Sequence, residues 1–102
     1  MSARMDRLEF YRADDDFVYD SRGLEVVEFK ANHRWRLVAA ENGRTIAAST
    51  ESYRRRIAAV TNAARVLGLS RDVLAMAVSI AAQDGPQEYR GLRRLRVVVV
   101  KP

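Results

Sequence analysis

Arginines are the residues whose type and spacing could do chemistry in this chain, because a guanidinium binds phosphate and carboxylate groups in a bidentate manner. All but two of the 18 basic residues are arginines, and the net charge is +5. They fall near a predicted strand around Trp35, around a predicted helix, and near the C-terminus. The arginines considered as nucleic-acid contacts are Arg34, Arg36, Arg54, Arg55, Arg65, Arg93 and Arg94.

Two interpretations of these arginines stay open. Basic surfaces bind phosphates without sequence preference and lose affinity with salt, and Trp35 could stack on a base. Alternatively, the arginines are solvated, Trp35 packs in the core because it alternates with Leu37, and the excess of arginine over lysine reflects a coding bias. We favour the second interpretation. The first hypothesis is therefore a small non-enzymatic interaction or regulatory module, and the alternative is non-specific nucleic-acid binding.

Few residues suit acid–base or nucleophilic catalysis. His33 is the only histidine, there is no cysteine, and His33 falls in a predicted turn. Ser49, Ser52 and Tyr53 could be drawn as a nucleophile group, but helix capping accounts for the serines and core packing for the tyrosine. The sequence therefore predicts that the protein is not an enzyme.

The aspartates near the N-terminus do not form a recognisable metal loop. Asp14, Asp16 and Asp20 could offer oxygen ligands, but the glycine and the bidentate glutamate of a calcium loop are missing. The chain also has no glycine-rich phosphate-binding loop. We predict no metal and no cofactor.

Residues 63–74 have the spacing of a helix-turn-helix, with Gly68 at the turn and Ser70 opening the second helix. A recognition helix needs polar side chains that reach base edges. Beyond Arg71 and Asp72, this helix offers mainly alanine, methionine, valine and isoleucine. Two packed helices are the better interpretation.

Alternating and β-branched segments predict the strands. Residues 7–12 alternate, residues 24–30 are rich in β-branched and aromatic side chains, and residues 34–39 alternate again. Asn42-Gly43 predicts a tight hairpin leading into a strand at residues 45–48. Residues 96–100 predict a central strand, since both of its faces become apolar.

Two helices are predicted between these strands. The first has Ser49 or Thr50 as N-cap and ends near Gly68. Its apolar stripe consists of Tyr53, Ile57, Val60, Ala64 and Leu67. The second runs from Ser70 through residue 83 and is apolar nearly all round, which favours burial on several sides.

Together these elements predict one α+β domain over residues 1–102. It contains an antiparallel sheet, an amphipathic helix packed on it, a second apolar helix and a C-terminal strand, with exchange of that strand between subunits left open. A homodimer would cover the second helix and the last strand. The residues predicted as dimer contacts are Leu74, Ala77, Val78, Val97 and Val99.

Residues 27–67 resemble the YegP-like domain family, a group of small uncharacterised bacterial and archaeal proteins. The residues that carry the resemblance are Phe29, Trp35-Arg36-Leu37, Ala40, Asn42-Gly43, Ile46-Ala47, Ser49, Glu51, Tyr53, Arg56 and Val66. Glu41 and Thr50 are additional to the family pattern, and the second helix is not part of the usual unit. The resemblance implies three strands, a helix and a further strand, built as a dimer with exchanged C-terminal strands. Residues 8–12 could be the family's first strand, with residues 14–33 inserted. The family has no established site residues to transfer.

No apolar run approaches the roughly 20 residues that span a bilayer. Residues 1–10 carry charges and no apolar core, unlike a signal peptide. We therefore predict a cytoplasmic protein with no membrane partner.

Overall fold

The computed structural model describes residues 5–13, 17–19, 22, 25–27, 32–91 and 93–100. Within these residues the elements are β1 (Arg7–Arg12), β2 (Phe17–Tyr19), β3 (Glu25–Val27), β4 (His33–Val38), β5 (Thr45–Ala48), α1 (Arg56–Leu67), α2 (Arg71–Asp84), β6 (Gln87–Tyr89) and β7 (Leu95–Val99). The predicted α+β class, with two helices and a C-terminal strand, is confirmed.

Five strands form the main sheet in the order β5-β4-β1-β7-β6, while β2 and β3 form a separate two-stranded sheet. The pairings β4–β5, β4–β1 and β6–β7 are antiparallel, whereas β1 and β7 pair in parallel, so the sheet is mixed and not wholly antiparallel as predicted; β6 was not predicted. Both helices lie between β5 and β6 in the chain. They return the chain to the side of β1 opposite β4, where β7 pairs in parallel with β1. The predicted position of the last strand between two others is confirmed.

The segment at residues 7–12, and not residues 24–30, begins the main sheet. β1 lies at its centre, with β4 on one side and β7 on the other. β3 covers only part of the second predicted strand and pairs with β2 outside the main sheet, and residues 28–30 lie outside the described residues. The meander that precedes α1 therefore consists of β1, β4 and β5, with β2 and β3 lying between β1 and β4 in the chain.

The hairpin between β4 and β5 turns at Asn42-Gly43, as predicted. Gly43 has a φ of 69°, a conformation that glycine adopts without steric cost. The Asn42 side-chain oxygen accepts a hydrogen bond of 3.0 Å from the Arg44 N–H, and the Ala39 N–H donates to the Arg44 carbonyl at 2.8 Å. The turn thus sets the pairing register of β4 with β5. Alternate β4 residues then point to opposite faces of the sheet.

Both helices cover one face of the main sheet. Leu8 and Phe10 of β1 pair with Leu37 and Trp35 of β4, and all four are almost fully buried. The Trp35 indole Nε1 donates to Asn62 Oδ1 of α1 at 2.8 Å, so that the one polar atom of the ring is satisfied inside the core. This confirms the interpretation of Trp35 as a core residue.

α1 begins at Arg56, five residues after the predicted first turn, and the predicted cap at Ser49 or Thr50 is wrong. The preceding segment pairs with β4 instead: the Ser49 N–H donates to the Trp35 carbonyl, and Tyr53 exchanges two backbone hydrogen bonds with His33. Because these backbone groups are used by the sheet, the helix cannot start earlier. Val60 and Ala64 of the predicted stripe are buried, together with Ala59 and Ala63, whereas the predicted Ile57 is 43% exposed.

α2 starts after Ser70, as predicted, and the Ser70 hydroxyl accepts from the Val73 N–H at 3.4 Å. The residues predicted as dimer contacts, however, are covered within one chain. Leu74, Ala77, Val78 and Val97 are buried, and Val99 packs against the core. The sheet and the helices thus cover these side chains within one chain, and the homodimer stays a prediction.

No helix of the described residues is long and apolar enough to cross a membrane. The described residues also contain no group of three or more histidine, aspartate or glutamate side chains placed to hold a metal ion. Asp14, Asp16 and Asp20 lie outside the described residues.

Candidate functional site

The side of the main sheet that faces away from the helices carries the largest group of charged side chains. Side chains alternate along a strand, so the neighbours of the buried core residues point to this side. We call it the open face. Its charged and aromatic residues are Arg7, Glu9 and Tyr11 on β1, Arg34 and Arg36 on β4, Glu88 on β6 and Arg96 on β7.

Glu9 lies at the centre of the open face and holds two arginines. Its residue is only 9% exposed, and its carboxylate is 2.6 Å from Arg36 Nε and 3.5 Å from Arg7 Nε. The Arg36 guanidinium also lies over the Tyr11 ring, 4.8 Å from the ring centre. Charge pairing and the cation–π contact therefore fix the orientation of Arg36 and keep Tyr11 at the surface.

The arginines at the β6 edge of the open face are already paired with carboxylates. Arg94 Nε donates to the Glu88 carboxylate at 2.7 Å, and Arg90 lies 3.6 Å from the same group. The hydrogen bond from Arg94 is the main cause that lowers the pKa of Glu88. Arg93 is similarly paired with Asp6 at 3.6 Å. The predicted nucleic-acid contacts Arg93 and Arg94 are therefore engaged in ion pairs, which weakens their availability for phosphate.

Two arginines of the open face have no carboxylate partner among the described residues. Arg34 Nε donates to the Ser52 hydroxyl at 2.5 Å, and Arg96 forms neither an ion pair nor a side-chain hydrogen bond there. Both are exposed. They lie on either side of β1, so the free cations flank the pair that Glu9 holds.

The predicted arginines do not form one surface. Arg34 and Arg36 lie on the open face, and the bond from Arg34 to Ser52 brings the exposed Arg54 and Arg55 close to the same end of β4. Arg65 lies in the last turn of α1, nine residues from Arg56 and about 14 Å along the helix. Arg65 is thus separated from the others.

Sequence reasoning missed Arg7 and Tyr11 as members of this surface, and it grouped Arg96 with the other C-terminal arginines instead of with Arg7. The alternation of residues 7–12 placed Tyr11 opposite the Leu8 face, but the aromatic chosen for stacking was Trp35. Trp35 is buried, and Tyr11 is the aromatic that lies among the arginines. The parallel pairing of β1 with β7, which brings Arg96 beside Arg7, has no signal in the local sequence.

The residues considered for catalysis serve the backbone or other side chains. Ser49 Oγ accepts a hydrogen bond of 3.3 Å from the Trp35 N–H, and the Ser52 hydroxyl accepts one from Arg34 Nε. The Tyr53 backbone forms a β-bridge with His33. His33 is the first residue of β4 and not part of a turn. Burial, followed by the positive charges of Arg12 and Arg56, lowers the pKa of His33.

The helix-turn-helix spacing forms two packed helices. Gly68 adopts the left-handed conformation, with a φ of 68° and its N–H donating to the Ala64 carbonyl, and α2 follows at once. The exposed side of α2 carries Val73, Met76 and Ile80, which have no hydrogen-bonding groups for base edges. Comparison of the chain with protein-family models, curated proteins and solved structures found no match. The resemblance to the YegP-like family therefore stays a prediction.

Proposed function

We propose that this protein is a non-enzymatic binding module whose open face holds single-stranded nucleic acid without sequence specificity. The observation that carries the proposal is the placement of Arg34 and Arg36 beside the surface aromatic Tyr11, with Arg7 and Arg96 paired at the other end of β1 on the same face. Arginines attract successive phosphates, and an aromatic ring can stack on a base of any identity. A cytoplasmic location, as the sequence predicts, would give the face access to such a ligand.

A single strand suits the open face better than a duplex does. A duplex is read by a helix or ribbon that enters a groove, and α2 exposes the apolar Val73, Met76 and Ile80 and has Arg71 as its single basic residue. Unpaired bases can instead lie on a sheet, since each offers a flat ring for stacking. Tyr11 is partly exposed and is held by Arg36, so it is preorganised for one such contact.

The test is the salt dependence of affinity for a fluorescently labelled oligothymidine, measured by anisotropy. The variant Arg34→Gln/Arg96→Gln removes the two unpaired cations of the open face. Each phosphate contact on a single strand contributes about 0.7 to the slope of log K against log salt, so the slope should become shallower by about 1.4. The control Arg44→Gln/Arg65→Gln has the same change in net charge and removes two exposed arginines elsewhere.

The proposal requires that the control keep the wild-type slope. Equal loss in both variants would mean that net charge alone attracts the oligonucleotide. No binding of the wild type at low salt would refute the proposal outright.

A second candidate, a homodimer, is favoured by the outer side of α2. Val73, Met76 and Ile80 are 46%, 67% and 39% exposed and recur at helical spacing on one side of the helix. In a twofold dimer one patch packs on its own copy, so a stripe of this kind suits packing of α2 against α2 of a second subunit. This surface differs from the contacts predicted from the sequence, which lie in or against the core of one chain.

Light scattering with the wild type and Met76→Glu tests the dimer. A wild-type dimer that becomes a monomer in the variant supports packing through α2. A monomeric wild type at high concentration, or a dimer that the variant leaves intact, excludes this interface.

A further inference from the structure

A small cavity lies at the end of the main sheet where β1 finishes, β4 begins and α1 starts. Its volume is about 70 Å³, roughly that of two water molecules. The side chains at its floor are apolar and come from Phe10, Ala59, Ala82 and Val99. The base of this cavity is formed by apolar side chains next to the hydrophobic core, whereas the open face is lined mainly by charged side chains.

Basic residues line the mouth of the cavity. Arg12 is the last residue of β1 and is paired in register with His33, the first residue of β4, so both lie on the helix side of the sheet beyond Phe10. Arg56, the first residue of α1, lines the same space, and Arg34 contributes from the neighbouring position on β4. The cavity is lined by no carboxylate from the described residues.

The basic groups at this mouth are available to a ligand. Arg12 Nε donates one hydrogen bond, of 3.3 Å, to Asn32 Oδ1, so the two terminal guanidinium nitrogens can donate to a ligand. Arg56 forms no ion pair or side-chain hydrogen bond with the described part of the chain. Burial, Arg12 and Arg56 each lower the pKa of His33, which indicates that the two guanidinium charges act on the same site without a compensating anion.

One backbone feature holds this arrangement in place, and a second adds positive charge to it. His33 and Tyr53 exchange backbone hydrogen bonds of 2.9 and 2.8 Å, which fixes the chain just before α1. No side chain caps the N-terminus of α1, and its first turn contains no acidic residue. The positive end of the helix dipole therefore adds to the arginine charges.

We propose that this cavity binds an unbridged phosphate group, that of inorganic phosphate or of a phosphate monoester, through Arg12, Arg56 and His33. A phosphate monoester carries a charge of about −1.5 to −2 at pH 7 and presents three oxygen acceptors, which matches a site of converging cations. A cavity the size of about two water molecules admits such a group but excludes a nucleobase. The ligand is either inorganic phosphate or the terminal phosphate of a nucleotide chain. Arg34 and Tyr11 border both this cavity and the open face, but Arg12, Arg56 and His33 belong to the cavity alone.

The sole histidine of the chain makes the test specific, because His33 gives one imidazole Hε1 signal in a proton NMR spectrum. The pKa of His33 is measured by pH titration with and without inorganic phosphate, at equal ionic strength set with sodium chloride. A bound anion opposes the repulsion from Arg12 and Arg56, so the pKa should rise by about one unit. A pKa that phosphate moves no further than sodium chloride does would overturn the proposal.

Variants separate binding from structural support. In Arg56→Gln the His33 pKa should rise before any phosphate is added, because one repelling charge is gone, and the further rise with phosphate should shrink. Arg65→Gln, on the same helix and exposed, should leave both values unchanged. A full phosphate response in a folded Arg56→Gln protein would contradict the assigned role of Arg56.

Oligothymidines with either a 5′-phosphate or a 5′-hydroxyl identify the source. A His33 response to the phosphorylated end alone assigns the site to a nucleic-acid terminus, and a response only to inorganic phosphate assigns it to the free ion. Equal responses to both oligonucleotides would mean that internal phosphodiesters enter, which overturns the assignment to an unbridged phosphate group. Since inorganic phosphate reports on the cavity without any nucleic acid, this proposal and that for the open face can fail separately.

Discussion

Replacement of Glu9 by glutamine should strengthen nucleic-acid binding. Glu9 is the carboxylate at the centre of the open face, 2.6 Å from Arg36 and 3.5 Å from Arg7. Glutamine keeps nearly the same shape and can accept a hydrogen bond, but it removes the charge that competes with phosphate for both arginines. The change therefore releases two cations without removing any side chain from the face.

The size of the effect follows from the two released arginines. At about 0.7 per phosphate contact on a single strand, two new contacts would steepen the salt slope by about 1.4 and raise affinity at 0.1 M salt by up to about 25-fold. The cost in stability should be about 1 kcal/mol, because the arginine side chains are 48% and 42% exposed and solvent screens such pairs. The variant should consequently remain folded.

Fluorescence anisotropy with labelled oligothymidine across a salt series measures both numbers. Glu41→Gln is the matched control, since Glu41 is exposed in the β4–β5 turn and its loss raises the net charge equally. If Glu9→Gln leaves affinity unchanged or weakens it while circular dichroism shows a folded protein, the assignment of the open face is wrong. If Glu41→Gln has the same effect, only net charge matters.

Three further outcomes test the fold and its surfaces. Leu8→Ala, at a fully buried position in the central strand, should lower the free energy of unfolding by about 2–5 kcal/mol in urea denaturation; a loss below 1 kcal/mol would contradict the packing described. The pKa of His33 lies below its unfolded value of 6.5, so the unfolded state takes up a proton first; stability should fall as pH drops below 6.5 towards the folded pKa, and this part of the decline should be absent in His33→Gln. Met76→Glu should change the free energy of unfolding by less than about 0.5 kcal/mol, because Met76 is 67% exposed; a larger loss in the monomer would place it in the core.

Local sequence patterns predicted much of the fold. Asn42-Gly43 fixed the β4–β5 hairpin, Ser70 marked the start of α2, and the alternation around Trp35 placed its ring in the core. Each of these features depends on a few adjacent residues. For that reason a single sequence suffices to predict them.

The errors arose where distant segments decide the structure. The start of α1 depends on backbone bonds from Ser49 and Tyr53 to β4, which helix-capping rules do not include. The burial of Leu74 and Val97 within one chain depends on how both helices fold back over the sheet, which the apolar pattern of α2 alone does not show. The hydrophobic pattern of a helix shows that its apolar side chains must be covered, but it does not show which strand, helix or subunit covers them.

The candidate site shows the same division. Arg34 and Arg36 were predicted because they flank Trp35 in one strand. The grouping of Arg7, Tyr11 and Arg96 requires the register of β1 against β4 and β7, and strand order is set by long-range packing. The ion pairs that occupy Arg93 and Arg94 are likewise contacts of the folded chain.

Nuclear magnetic resonance mapping of the oligothymidine-binding surface at low salt is the decisive measurement. Spectra of ¹⁵N-labelled protein should show shifts in the backbone amides of β1, β4 and β7 and in the Nε–H signals of Arg34 and Arg96, and these shifts should disappear as salt rises. Shifts confined to the outer side of α2, or no shifts at low salt, would contradict nucleic-acid binding by the open face.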